Sequence, residues 1–168
     1  QSIGGGGGSS ATSASSSLRM GSISTAVASK DIPVITTGNV TVTNTSNLST
    51  TKVGSAGLFA QSLAGGGGYM AQTGSDKKYK ITFGSTGEIN ATAGAVTVNN
   101  SSKAITTKGN YSPALVAQSI GGGGGYGLLN ASGLGGTRIG AINNNSGNAN
   151  SGNVTVENKA ILWTTGEF

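Results

Sequence analysis

The residue types that carry most enzyme chemistry are scarce in this chain. It contains no His and no Cys, and its acidic residues are Asp31, Asp76, Glu88, Glu157 and Glu167. Without His or Cys, a Ser-His-Asp triad, a Cys-His pair and a thiolate or imidazole metal site are excluded. Paired carboxylates can hydrolyse a glycosidic bond, but no two acids are two residues apart. We therefore predict no catalytic, cofactor-binding or metal-binding residue, and no enzyme activity.

Glycine runs are the next residues whose pattern suggests a chemical role. They occupy positions 4–8, 65–68 and 121–125. Gly122, Gly124 and Gly127 fit the spacing of a dinucleotide-binding loop, but most glycine runs do, and no Lys-Ser or Lys-Thr follows to form a P-loop. No Asp follows the runs at a calcium-binding position. Two interpretations stay open: a flexible spacer, or very close approach of neighbouring backbones.

The chain has 10 basic and 5 acidic residues, and the basic residues are scattered along it. The only cluster is Lys77, Lys78 and Lys80, with Tyr79 between them. A phosphate footprint usually needs about six or more basic contacts, so we predict a solvated surface rather than nucleic-acid binding.

The composition favours thin β-structure over a thick globular core. Gly accounts for 31 residues, charged residues for 9% and aromatic residues for 5%. Disorder is the first alternative for so little apolar content, but Pro occurs only twice and short Val and Thr alternations indicate strands. The absence of Cys excludes disulfides. The sequence contains no run of 18 apolar residues, so it predicts no membrane span.

Internal repetition is the strongest feature of the sequence. A Gln-Ser-Ile or Gln-Ser-Leu triplet before a glycine run begins at Gln1, Gln61 and Gln118, which are 60 and 57 residues apart. A Gly-x-Val-Thr-Val motif recurs with nearly the same period, at positions 38, 94 and 152. Two further markers follow this register: the Thr pairs 50–51, 106–107 and 164–165, and the dipeptides at positions 20–21, 83–84 and 139–140. We predict one repeat-array segment of a longer chain over 1–168, with approximate repeats 1–60, 61–117 and 118–168.

These features predict an all-β fold, a parallel β-solenoid of the right-handed β-helix type built from about three repeats of ~57 residues. A β-sandwich or barrel is the alternative, but it does not explain a fixed unit length. Each repeat shows three strand-like stretches, which would make three coils of about 19 residues per repeat if each strand belongs to one coil. The variable stretch after each glycine run is predicted to be a surface loop.

The stretch from Leu58 to Leu63, like its counterpart from Leu115 to Ile120, is apolar on both faces. A strand of this kind is usually covered on both sides. Phe59 then lies either under its own glycine-rich segment or against another copy of the array.

The stretch from Leu115 to Ile120, Leu-Val-Ala-Gln-Ser-Ile, runs directly into a glycine run. With the Gly-Asn-Val-Thr-Val-Thr-Asn stretch from Gly38 to Asn44, it resembles the repeats in passenger regions of large bacterial autotransporter adhesins. The likeness covers all three repeats; Ala64 within the second glycine run and the segment from Ser9 to Ser17 depart from it. The resemblance implies a right-handed β-helical passenger, exported through an outer-membrane barrel located elsewhere in the chain.

The sequence and the resemblance together predict a structural and adhesive fibre or stalk segment, extracellular at a bacterial surface, whether anchored in the outer membrane or secreted. Surface attachment, aggregation and biofilm formation are the expected roles. Lateral or end-to-end self-association is the expected partnership, with host or surface glycans as further partners. One alternative is a subunit of an extracellular matrix filament that polymerises by stacking its β-coils, and a lesser one is a carbohydrate-active β-helix enzyme.

Overall fold

A computed structural model describes residues 1–3, 7–11, 18–20, 34–73, 79–84, 89–130, 134–139 and 148–167. All regular elements in these ranges are β-strands, β1 to β18 in chain order. In these ranges we find no helix that could span a membrane.

The strands form three successive layers of six. The first layer holds β1 to β6: Ser2–Ile3, Gly7–Ala11, Leu18–Met20, Val34–Thr36, Val40–Asn44 and Leu48–Thr50. The second layer holds β7 to β12: Leu58–Leu63, Gly67–Thr73, Tyr79–Phe83, Asn90–Thr92, Val96–Asn100 and Ala104–Thr107. The third layer holds β13 to β18: Leu115–Ile120, Gly124–Asn130, Leu134–Ile139, Ala149–Asn150, Val154–Asn158 and Ile161–Thr164.

Each strand pairs with its equivalents in the neighbouring layers and not with its neighbour in sequence. Six parallel three-stranded sheets result, for example β1-β7-β13 and β5-β11-β17. Asn44, Asn100 and Asn158 are partners 56 and 58 residues apart. The expected coil of about 19 residues is therefore wrong, because one layer uses a whole repeat. The strand-like stretches of one repeat belong to different sheets.

Most of the sequence markers lie opposite one another as predicted. Gln61 pairs with Gln118, and Val96 pairs with both Val40 and Val154. Two more sets of partners follow the predicted correspondence: Ser2 and Ser62, and Met20, Phe83 and Ile139. The Thr pairs are shifted by one residue, because Thr107 and not Thr106 pairs with Thr50 and Thr164. The fold is thus all-β and parallel, with the sequence repeat as the unit of stacking.

The stretch after each glycine run was predicted to be a loop. For the part that the structure describes this prediction is wrong, because strands β2, β8 and β14 pair there in register from the glycines onward. Positions 12–17, 74–78 and 131–133 of the stretch lie outside the described residues. Parallel pairing uses main-chain groups, so the side chains there can vary without loss of the hydrogen-bond ladder.

The main apolar core lies between the β7 sheet and the β11 and β12 sheets. Val96, Val98 and Ile105 of the second layer have no exposed surface. Leu58, Ala60 and Ala114 complete the buried cluster, with first-layer and third-layer residues packed around it. A smaller cluster gathers Ala64, Ile89, Ala91 and Ala93, with Ile35 packed against it. The core is thin in cross-section, and it becomes fully buried only where layers lie on both sides.

Candidate functional site: inter-layer ladders and an aromatic recess

The two strongest sequence markers contact each other. Ser62, from the Gln-Ser-Leu triplet, accepts a hydrogen bond from the Gly94 amide at 3.0 Å and donates one to the Gly38 carbonyl at 3.0 Å. Ser119 repeats this one layer on, bonding the Gly152 amide and the Gly94 carbonyl, both at 2.8 Å. Each serine therefore joins two layers of the Gly-x-Val-Thr-Val corner. This contact explains why the two markers recur together.

Glutamine side chains form a ladder along the stack. Gln1 Nε2 donates to Gln61 Oε1 at 3.1 Å, and Gln61 Nε2 donates to Gln118 Oε1 at 2.6 Å. Gln61 has no exposed surface, so its amide must be paired within the protein. Stacked identical amides satisfy one another only when the layers are in register.

Asparagine forms a second ladder at the end of the Val-Thr-Val strands. Asn44 Nδ2 donates to Asn100 Oδ1 at 2.9 Å, and Asn100 Nδ2 donates to Asn158 Oδ1 at 2.6 Å. Corner asparagines also bridge layers through Oδ1, which accepts backbone N–H groups of the next layer: Asn39 from Ala95, Asn47 from Lys103 and Ala104, Asn90 from Asn148, and Asn110 from Glu167. The abundance of Asn therefore supports hydrogen bonding between layers at the corners, where the strand ladders stop.

The described glycines of the runs are ordered and closely packed. Gly65 to Gly68 and Gly122 to Gly125 all have positive φ, between 78° and 146°. A Cβ on Gly67 would overlap the Gly124 carbonyl oxygen, and one on Gly65 would lie 2.8 Å from the Gly122 carbonyl carbon. Of the two interpretations left open, close backbone approach is confirmed for these residues.

An aromatic cluster follows the glycine runs. Tyr69 and Tyr126 are partners on β8 and β14, with ring centroids 5.7 Å apart and planes 5° from parallel. Phe59 of β7 meets both rings edge-on, at 5.1 Å and 6.0 Å. Phe59 therefore lies under residues of its own chain that directly follow the glycine runs. With its other face on the main core, β7 is covered on both sides, as predicted.

Beside the cluster is a recess of about 390 Å³, which is lined by Gln1, Gly54, Ser55, Ala56, Phe59 and Tyr69. Its volume is that of a small-ligand site, and its wall is partly aromatic.

Partial burial affects both stacked tyrosines. The Tyr69 hydroxyl oxygen is buried and has no hydrogen-bond partner among the residues that the structure describes. Burial raises the Tyr69 pKa above its ordinary value of 10.0, and the nearby Tyr126 adds to that shift. Burial also raises the Tyr126 pKa. These groups stay protonated at neutral pH and contribute packing rather than acid-base chemistry.

In the part of the chain that the structure describes, the charged side chains do not converge on a site. Glu157 and Lys159 form an exposed ion pair at 2.8 Å, and the hydrogen bond and charge of Lys159 lower the Glu157 pKa. Among the described residues, no three His, Cys, Asp or Glu side chains are close enough to share a metal ion. Asp31, Asp76, Glu88, Lys77 and Lys78 lie outside the described residues.

The sequence interpretation missed the side-chain ladders, the serine contacts and the tyrosine stack. The sequence held a signal for the asparagine ladder and for the tyrosine stack: an Asn closes every Val-Thr-Val strand, and a Tyr directly follows two of the three glycine runs. The number of residues per layer was not known from the sequence. The ladder, serine and tyrosine residues contact one another only when one repeat forms one layer.

Comparison with known proteins gave no match to a family model, a curated protein or a solved structure.

Proposed function

We propose that this chain is a structural segment of an extracellular fibre or stalk at a bacterial surface, with no catalytic role. The observation that carries the proposal is the in-register stacking of equivalent residues that are 56 to 60 residues apart in sequence. Because each layer is held mainly by its neighbours, added repeats lengthen the body without a new core. A closed, right-handed β-helix is the form that we propose for the array.

The layer interval changes the kind of fibre that is expected. Each repeat adds one strand spacing of about 4.8 Å, so the three layers span about 14 Å along the axis. Such a body is broad and short for its chain length. We propose that it contributes lateral surface and rigidity more than reach.

Attachment is part of the same proposal. The recess beside Phe59 and Tyr69 has an aromatic wall, and aromatic side chains line many ligand pockets. Surface or host glycans are the partners that we propose for it. Export through an outer-membrane barrel and anchoring at the cell surface belong to the proposal through the autotransporter resemblance.

Antibodies raised against the 168-residue chain test the proposed location and the architecture together. On intact source cells they should label the surface, and on a denaturing gel they should detect a chain far larger than 16.3 kDa. Labelling only after cell lysis contradicts the surface role. A surface band near 16.3 kDa favours the alternative, a separate filament subunit.

A further inference from the structure

Two tyrosine side chains lie face to face between the second and third layers. Tyr69 of β8 and Tyr126 of β14 are register partners one repeat apart, with ring centroids 5.7 Å apart and planes 5° from parallel. Both residues are half-buried, so a small molecule from the solvent can reach the edges of the rings. The contact is on the side where the two layers meet, so it does not depend on what covers either end of the stack.

Neighbouring residues hold the two rings in this arrangement. The glycines directly before them, Gly68 and Gly125, are so close that a Cβ on Gly125 would overlap the Gly68 carbonyl oxygen. Phe59 meets both rings edge-on, at 5.1 Å and 6.0 Å. The backbones of neighbouring strands in a sheet are about 4.8 Å apart. Side-chain rotation alone can therefore bring an ortho carbon of one ring against an ortho carbon of the other, without a change of register.

We propose that this pair is a site of oxidative cross-linking, at which a peroxide joins the two layers through a carbon–carbon bond between Tyr69 and Tyr126. Each phenol loses one hydrogen atom and becomes a phenoxyl radical, whose unpaired electron is shared by the ortho carbons. The two radicals form one bond between ortho carbons, and the hydrogen on each of these carbons moves to the phenol oxygen, which restores both hydroxyls. Overall the pair loses two hydrogen atoms, and one hydrogen peroxide molecule takes them up and is reduced to two water molecules.

The surroundings of the pair favour loss of a hydrogen atom over ionisation. The Tyr69 hydroxyl oxygen is buried without a hydrogen-bond partner among the described residues. Loss of a hydrogen atom leaves a neutral oxygen there, whereas burial disfavours the charged phenolate.

The rest of the chain offers no other redox cross-link through sulfur. It has no Cys, so no thiol competes for the oxidant and no disulfide can fasten the layers. A bond between Tyr69 and Tyr126 closes a loop one repeat long and restricts the unfolded chain as a disulfide does. The inference thus adds a covalent tie to the proposed stalk and does not depend on its location or on adhesion.

Oxidation of the dilute, folded chain with hydrogen peroxide and a small haem peptide as catalyst tests the inference. We expect the natural chain to lose the mass of two hydrogen atoms, to stay monomeric and to gain dityrosine fluorescence. After digestion with trypsin, residues 53–77 should be joined to residues 109–138. The product should also unfold at a higher urea concentration than the untreated chain, because the bond restricts the unfolded state.

Three variants identify the tyrosines that react. Tyr69→Phe and Tyr126→Phe each keep the ring and remove one phenol, so the yield of this product should fall by more than about tenfold in both. Tyr111→Phe is the matched control, because Tyr111 lies in the same tryptic peptide as Tyr126. Its yield should equal that of the natural chain. Circular dichroism should show the same β-signal for all four proteins.

Each other result decides against the inference. A folded natural chain that keeps its mass, or that forms cross-links only between chains, overturns it and leaves the proposed stalk as it stands. A yield that survives in Tyr126→Phe and disappears in Tyr111→Phe assigns the reaction to another tyrosine and also overturns it. A random-coil signal from the untreated chain contradicts the stacked body of the proposed function, and the ring pair with it.

Discussion

At the residue scale, glycine is required where layers come closest. Gly38 and Gly94 are equivalent in sequence and differ in whether a layer lies beneath them. We predict that Gly94→Ala lowers the free energy of unfolding by about 3 kcal/mol, because the methyl group meets backbone that cannot move aside. Gly38→Ala should change it by less than about 0.5 kcal/mol. Urea denaturation of dilute samples measures both, and equal losses would contradict the stacking.

The tyrosine pair gives the chain an alkaline sensitivity. A pKa raised on folding means that the neutral hydroxyl is favoured in the folded state. The resulting stability is present below pH ~10 and is lost as the pH rises through the raised pKa. We predict that the double variant Tyr69→Phe, Tyr126→Phe loses less stability between pH ~9 and ~11 than the natural chain. Denaturation at both pH values checks this, and identical losses would refute it.

At the element scale, substitutions in the asparagine ladder test how much the strand ends contribute to the free energy of unfolding. Asn100 is 2% exposed and bonded to Asn44, Asn158 and Ser102. Replacing it by Ala leaves the Asn44 and Ser102 donors and the Asn158 acceptor without this partner, so we predict a loss of about 2 to 3 kcal/mol. Asn158→Ala, at the exposed end of the same ladder, should cost less than about 1 kcal/mol because water replaces the lost bond. Thermal unfolding compares the two, and the reverse order would count against the ladder.

The elements also show what the sequence could predict. Alternation in Val96 to Val98 and the recurring markers were enough to predict parallel strands, the register of β5, β11 and β17, and the equivalence of Met20, Phe83 and Ile139. They did not give the register of β6, β12 and β18, where the Thr pairs are shifted by one residue. Alternation could not predict the number of strands per layer. Short strands such as Asn90–Thr92 contain too few residues to show a two-residue alternation of apolar and polar side chains. The strand across Gly67 and Gly68 was missed for another reason: its pairing depends on main-chain approach, which leaves no apolar pattern.

At the scale of the whole molecule, the interval between partners decides the shape. A chain in which each repeat formed three coils would gain about 14 Å per repeat. One layer per repeat gives about 4.8 Å. We predict that inserting further copies of residues 61–117 lengthens the particle by about 4.8 Å each at constant cross-section. Small-angle X-ray scattering measures both dimensions. Growth of about 14 Å per copy would contradict one layer per repeat and would support three narrower coils per repeat.

The central claim, that one repeat makes one layer, is tested most directly by pairs of spin labels. The chain has no Cys, so labels can be placed only where Cys is introduced. Thr41, Thr97 and Thr155 are register partners in successive layers. Labels at Thr41 and Thr97 should show strong dipolar broadening, with backbones about 4.8 Å apart, and labels at Thr41 and Thr155 should show weaker broadening. A spectrum of two isolated labels at Thr41 and Thr97, in a folded chain, would contradict the account.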